Sequence, residues 1–371
     1  MPGAGFRNRL TGPLADHFPV ILITALYLAA GRFAAGVLGW PVEAHPLPAL
    51  ANVGFLLAWL LALAVGATLF VLALASVARW VARRRGRQPV IPSWADLRPL
   101  ITPNHLVELV LVFALYVLFI DTFIGFKRAL PAIQPFAWDA AFMRLDQALH
   151  FGRHPWEILQ PVLGRPIVTS LVDAVYYTWF AVNMLCLAGF LWVSNRVLKT
   201  QFYVSFWLVW IVLGTVMAYA LSSVGPCYFG LVTAGVDPFQ PLMTYLRGVD
   251  QTHGLLAVFT QGQLWEDYNG GTSPLLMKGI SAMPSVHIAL PVLYTIAGWH
   301  VHRALGITFA IFAFTIFLGS IHLGWHYAID GYASALAVPV IWWISGIVVR
   351  SYCGRLDGVT DRWLLRPARS T

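Results

Sequence analysis

The chain is short of charge. Only 11% of its 371 residues are Asp, Glu, Lys or Arg, against about 25% in a soluble domain. That deficit, beside 58% hydrophobic residues, excludes a water-soluble globular protein and leaves room for several membrane spans. Cysteine is scarce as well. Cys186, Cys227 and Cys353 are too few for a disulfide framework and read as small packing residues. Lysine occurs 3 times against 21 arginines, a bias that points to a GC-rich bacterial genome. Internal repeats and low-complexity tracts are lacking.

What the chain has instead is long apolar runs. Eight of them approach the roughly 20 residues that cross a bilayer, near 18–39, 51–78, 104–125, 168–193, 203–223, 284–300, 304–322 and 326–349. The first follows Arg7 and Arg9 as a signal peptide would. It is long, has a poor cleavage signal and is followed at once by another run, so it reads as an anchor. The expected fold class is an all-α integral membrane protein of about eight transmembrane helices.

The net charge of +8 is no signature of a nucleic-acid partner, because the basic residues stand in short clusters between apolar runs, as topology signals do. Arg79, Arg83, Arg84, Arg85 and Arg87 follow the second run, Arg196 and Lys199 the fourth, and Arg303 the sixth. Arg350, Arg355, Arg362, Arg366 and Arg369 follow the eighth. All fall on one side if both termini are cytoplasmic. The chain then divides into 1–99 (two spans and a basic loop), 100–349 (six spans) and a basic tail, 350–371. The outer side receives 126–167 and 224–283. Within the first, Trp138 to Leu149 has apolar positions at helical spacing with charges between; it lies flat on the membrane or caps the bundle. The second is rich in Gly, Pro and aromatics and reads as an ordered loop layer or lid.

This topology, drawn from Arg and Lys alone, brings two histidines to the same outer face. His287 ends Met283-Pro-Ser-Val-His287, and His326 lies in Ser320-Ile-His-Leu-Gly-Trp-His-Tyr-Ala-Ile-Asp330. Pro284 suits a first helical position. The following amides then lack intrahelical partners and, with the helix dipole, favour an anion such as phosphate. His287 is placed to protonate a leaving oxygen, or is incidental to a helix cap. Asp330 is four residues from His326, on one helical face. A carboxylate there holds one ring nitrogen and leaves the other free as a phosphorus nucleophile; the bland alternative is a structural pair between helices. His322, His326 and Asp330 at i, i+4 and i+8 also form a candidate metal face, the basis of a rival reading as a metal-dependent membrane oxygenase. A second rival is a non-catalytic transporter or scaffold.

These motifs resemble those of the type 2 phosphatidic acid phosphatase superfamily: the proline–serine–x–histidine motif at Met283–His287 and the final motif at Gly319–Asp330. The run from Gly319 to Gly331, with Trp138-Asp139, Leu145-Asp146, Leu149-His150-Phe-Gly and Gly225-Pro226-Cys-Tyr-Phe, is similar to the branch containing inositol phosphorylceramide synthase. The resemblance covers roughly 100–349 and implies a six-helix catalytic core. It implies that His326 is the nucleophile and forms a phosphohistidine, that Asp330 orients it, that His287 is the general acid and then base, and that Ser285 helps bind phosphate. It implies no cofactor and no metal. Gly319 and Ser320 stand where the family has Ser-Arg, and the first motif's lysine and arginine are missing from 218–226. Lys127-x6-Gln134-Pro135 mimics that spacing but lies two spans early and reads as coincidence. Replacement cations on the outer face are Lys127, Arg128, Arg165, Arg247 and Lys278. The implied activity is transfer of a phosphoryl-alcohol head group, such as phosphoinositol, from a membrane phospholipid to a lipid alcohol such as ceramide. With water as the acceptor, the same site is a lipid phosphate phosphatase. The expected location is a bacterial inner membrane, with the site on its periplasmic, extracytoplasmic face.

Overall fold

A computed structural model of the chain describes residues 3–38, 103–271 and 278–364. The apolar run at 51–78, the arginines from Arg79 to Arg87, and Arg366 and Arg369 lie outside the described residues. Among the described residues every regular element is helical. The long helices are α1 (Gly3–Leu38), α2 (Pro103–Ile133), α5 (Pro166–Gly189), α6 (Arg196–Ile211), α10 (Arg303–His322) and α11 (Ala328–Leu364). Shorter are α3 (Asp139–Leu149), α4 (Pro155–Leu163), α7 (Gln240–His253), α8 (Leu256–Tyr268) and α9 (Val286–Val301). Among the described residues, six helical stretches are long and apolar enough to cross a membrane, and α9 is a shorter apolar helix. Seven of the eight apolar runs thus fall on helices, and the protein is an all-α membrane protein.

Local chemistry sets the helix starts. Asn195 caps α6 by accepting the Leu198 amide at 3.0 Å. Pro155 and Pro166 open α4 and α5, where a missing N–H leaves nothing unsatisfied. Past Ile211, α6 loosens into a π-helical segment, Val212–Met217, an irregularity common at functional sites.

Helix α6 is the axis of the bundle, burying Phe202, Tyr203, Phe206, Trp207 and Trp210. The outward faces carry exposed Leu26, Phe33, Leu118, Ile167, Leu171, Leu336 and Trp343. Such surfaces suit lipid. Between lipid-facing helices, close packing and interhelical hydrogen bonds carry the association. The bonds are present: Tyr203 donates to the Leu187 carbonyl at 2.7 Å, Gln201 to the Trp342 carbonyl at 2.8 Å, and Tyr27 pairs with Thr215 at 2.7 Å. Tyr294 donates to the Asn183 side chain.

The two ends of the bundle differ. At one, Lys199 meets Glu108 at 2.9 Å and Arg196 meets Asp16 at 2.5 Å. This end also holds the start of α10 at Arg303, and Tyr352 of α11 bonds the Ala15 carbonyl at 2.7 Å. The opposite end holds the start of α9, the α10–α11 turn and the helices α3, α4, α7 and α8. His287 and His326 are therefore at the end away from Arg196, Lys199 and Arg303.

Both outer segments carry helices at this end. Within 224–283, expected as a loop layer or lid, α7 and α8 occupy 14 and 13 residues, so a good part of this segment is a two-helix cover. Helix α3 buries Asp139, Phe142 and Asp146 and exposes Trp138, Leu145 and Leu149. Its acids point inward because backbone amides of neighbouring segments need acceptors there.

Candidate active site

The site begins at two helix starts. Ser285 is the N-cap of α9, so Pro284 precedes the cap instead of opening the helix; the Ser285 amide reaches the Asp330 carbonyl at 3.4 Å. His326 lies in the turn before α11, not on a helix. The turn is held by the Trp325 and His326 amides, both donating to the Ser320 carbonyl at 2.9 and 3.2 Å. The expected shared helical face of His326 and Asp330 is thus replaced by a different contact. Asp330, in the first turn of α11, folds back so that Oδ2 accepts from His326 Nδ1 at 3.0 Å and from the Tyr327 amide at 3.1 Å. This is the carboxylate half of a capping box. Ser334 ties the two starts together by donating to the Ser285 and Asp330 carbonyls at 2.9 and 2.8 Å.

These contacts assign the tautomer. A carboxylate can only accept, so Nδ1 of His326 carries the proton. In the neutral ring Nε2 then has its lone pair, and it accepts from the Ser285 hydroxyl at 3.0 Å. That nitrogen is the one a phosphorus electrophile would meet.

His287 lies one residue into α9, its ring against an aromatic cradle on α5. The Trp179 centroid is 4.3 Å away, and Tyr176 stacks at 5.5 Å. The His287 and His326 centroids are 6.2 Å apart. Both line one cavity of about 130 Å³, several times the roughly 10–15 Å³ that admits a single water. Its walls are aromatic (Phe123, Tyr176, Tyr177, Trp179, Phe180, Trp210, Tyr228, Trp325), and Thr260 and Leu264 of α8 close one side.

Among the described residues one Lys or Arg lines this cavity, the half-buried Lys127 near the end of α2. It has no acidic partner among the described residues. Gly279, with φ +84, packs on it so closely that a Cβ would come 2.8 Å from the Lys127 backbone. The other expected cations go elsewhere. Arg128 and Lys278 both turn to Asp267, at 3.6 and 3.4 Å. Arg165 precedes α5 and Arg247 lies on α7; both are exposed and outside the cavity wall. The Lys127-x6-Gln134-Pro135 spacing, set aside on the sequence because it lay too early, belongs to the helix that delivers Lys127 here. The end of α2 lies beside the segment that follows α6: Tyr219 donates to the Phe126 carbonyl at 2.6 Å and Ser222 to the Gln134 carbonyl at 3.0 Å.

The metal face of His322, His326 and Asp330 is not assembled. His322 faces Thr169 at 3.0 Å, and no cluster of three or more His, Cys, Asp or Glu suited to a metal occurs among the described residues.

Sequence reasoning gave no role to Asp139 and Asp146, although both stood in the quoted segment. Asp139 accepts from the Val224 and Gly225 amides at 3.0 and 2.9 Å and from the Tyr327 hydroxyl at 2.9 Å. Asp146 accepts from the Ala328 and Ile329 amides at 2.8 and 3.0 Å. Burial pushes both carboxyls above the usual range, Asp146 to about 6. Their spacing of seven residues on a helix was the available signal. The aromatic cradle had no signal, since aromatics are common throughout the spans.

The PAP2 superfamily model matches residues 140–344, which include both histidine motifs, Asp146 of α3, and α4 to α11 as far as residue 344. Comparison with curated proteins and with solved structures gives no match. Over more than half its length the chain carries the pattern of lipid phosphoester chemistry, and it belongs to the PAP2 superfamily.

Proposed function

We propose that the protein is a membrane lipid head-group phosphotransferase that works through a phosphohistidine on His326. The observation that carries this reading is the convergence of His326, held by Asp330 at 3.0 Å, with His287 and Lys127 in one cavity wall. In the first half-reaction Nε2 of His326 attacks phosphorus and the bond to the departing lipid alcohol breaks, His287 giving that oxygen a proton. In the second, His287 takes the proton of the acceptor hydroxyl, whose oxygen attacks phosphorus. The P–N bond then breaks and His326 is restored. Asp330 steadies the positive charge on the ring while the bond exists. Lys127 balances charge on the phosphoryl oxygens. Ser285 moves its hydroxyl from Nε2 to a phosphoryl oxygen.

The aromatic walls and the cover of α8 support transfer over hydrolysis, because they limit water at the intermediate. Phosphoinositol as the group and ceramide as the acceptor rest on the resemblance to the inositol phosphorylceramide synthase branch. The outer, extracytoplasmic placement rests on the arginine pattern. A phosphatase is the same site with water as the acceptor.

The test uses purified protein in detergent and phosphatidylinositol labelled in its head group, with and without ceramide. Label on ceramide, abolished by His326→Ala, supports the proposal. Release of water-soluble label alone, with or without ceramide, moves the assignment to the phosphatase. Turnover that survives His326→Ala or requires an added metal ion overturns both.

A further inference from the structure

We infer that Asp139 and Asp146 of α3 are positioning residues that hold the His326 turn in its reactive pose; this rests on the proposed role of His326. Helix α11 starts directly after that turn, and the first amides of a helix have no partner within it. Usually the N-cap side chain supplies one. Here the N-cap position is Tyr327, whose phenol points to Asp139, 2.9 Å away. The Ala328 and Ile329 amides are instead capped from another helix, by the two oxygens of Asp146 at 2.8 and 3.0 Å. Asp146 and Asp330 are buried, and together they receive the Tyr327, Ala328 and Ile329 amides, the three that follow His326.

Asp139 fixes the other side of the turn. It holds the Val224 and Gly225 amides, and this strand of chain lies directly on the turn: the Cys227 amide donates to the Gly324 carbonyl at 2.9 Å. Gly225, at φ +87, approaches so closely that a Cβ would come 2.6 Å from the Trp325 carbonyl oxygen. His326 is therefore bracketed on both sides of the chain by contacts that trace to two carboxylates of one short helix outside the spans. A shift of α3 would move the nucleophile relative to His287, which is anchored separately on α9 and α5. Asparagine in place of either aspartate keeps the shape but turns an amide donor toward backbone donors, so the clamp loosens without a cavity.

The experiment compares Asp146→Asn, Asp139→Asn and the milder Tyr327→Phe with wild type, and with Glu108→Gln at the opposite end as a control for lost stability. Two readouts are taken: kcat and KM for head-group transfer, and the rate at which diethylpyrocarbonate modifies His326, followed by peptide mass spectrometry. The second reads the pose of the ring whatever the substrate is, so it separates failure of this inference from failure of the proposed activity. Expected are kcat losses of about 10- to 100-fold for the Asn variants and about 3- to 10-fold for Tyr327→Phe. KM should stay within about 3-fold and the His326 modification rate should change, while Glu108→Gln alters the melting temperature but neither readout. Folded Asn variants and Tyr327→Phe with wild-type kcat and an unchanged His326 modification rate overturn the inference. So does a kcat loss that Glu108→Gln reproduces at equal destabilisation.

Discussion

The Ser285 hydroxyl donates to Nε2 of His326 across 3.0 Å. The N-cap of one helix thus rests on the free nitrogen of the histidine that precedes another. In the proposed reaction the hydroxyl must leave that nitrogen for a phosphoryl oxygen. Ser285→Ala removes one neutral hydrogen bond, worth about 0.5–1.5 kcal/mol. Steady-state kinetics should show a fall of roughly 3- to 10-fold in kcat/KM and no loss of the intermediate. A loss as deep as that of His326→Ala would give Ser285 a larger role.

Lys127 and Arg128 are neighbours in sequence with different surroundings. Lys127 lines the cavity, whereas Arg128 turns to Asp267 at 3.6 Å. Lys127→Met should lower kcat/KM by about 10²- to 10³-fold, as removal of a transition-state donor does. Arg128→Met should cost less than about 3-fold. Initial rates of head-group transfer check the contrast, and equal effects would contradict the assignment of Lys127.

Burial raises the Asp146 carboxyl from 3.8 to about 6; the amides of Ala328 and Ile329 oppose this, and Asp330 adds to it. Between those two values the folded protein binds the proton that the unfolded chain has released. The contribution of Asp146 to stability is therefore full below the ordinary carboxylate value and lost as pH rises through about 6, by at most about 3 kcal/mol. Thermal unfolding in detergent from pH 4.5 to 7 should show a fall in melting temperature that Asp146→Asn makes shallower. An identical slope in the variant would locate the titration elsewhere.

Gly225→Ala combines a left-handed backbone at φ +87 with a Cβ placed 2.6 Å from the Trp325 carbonyl. The strain costs about 1–3 kcal/mol. Because Trp325 adjoins His326, activity should fall along with the melting temperature, and both can be read on one preparation. Unchanged activity and stability would show that the loop relaxes freely.

The fold was legible where one physical signal dominated. The apolar runs exposed the long helices because lipid tolerates little charge, and Arg196, Lys199 and Arg303 marked the end away from the histidines. The meeting of His287 and His326 followed from that end-to-end logic. Less legible was anything set by contacts between distant segments. The two-helix cover α7–α8 lay hidden under Gly, Pro and aromatics, which favour turns on average. The inward acids of α3 had no role in the sequence reading because their acceptor function depends on amides 86 and 182 residues away. Lys127 was one of five candidate cations, and nothing in the sequence ranked it above the others, because chain order does not determine which helix ends are neighbours.

The central claim is a covalent bond between phosphorus and Nε2 of His326. The direct measurement is an acid-sensitive, base-stable phosphorus label on the protein, captured by alkaline quench during turnover of a radiolabelled phospholipid and mapped by peptide. The account predicts label on the peptide containing His326, absent in His326→Ala and chased off by the acceptor. Turnover at the wild-type rate with no label on that peptide, or with the label on another residue, would contradict it.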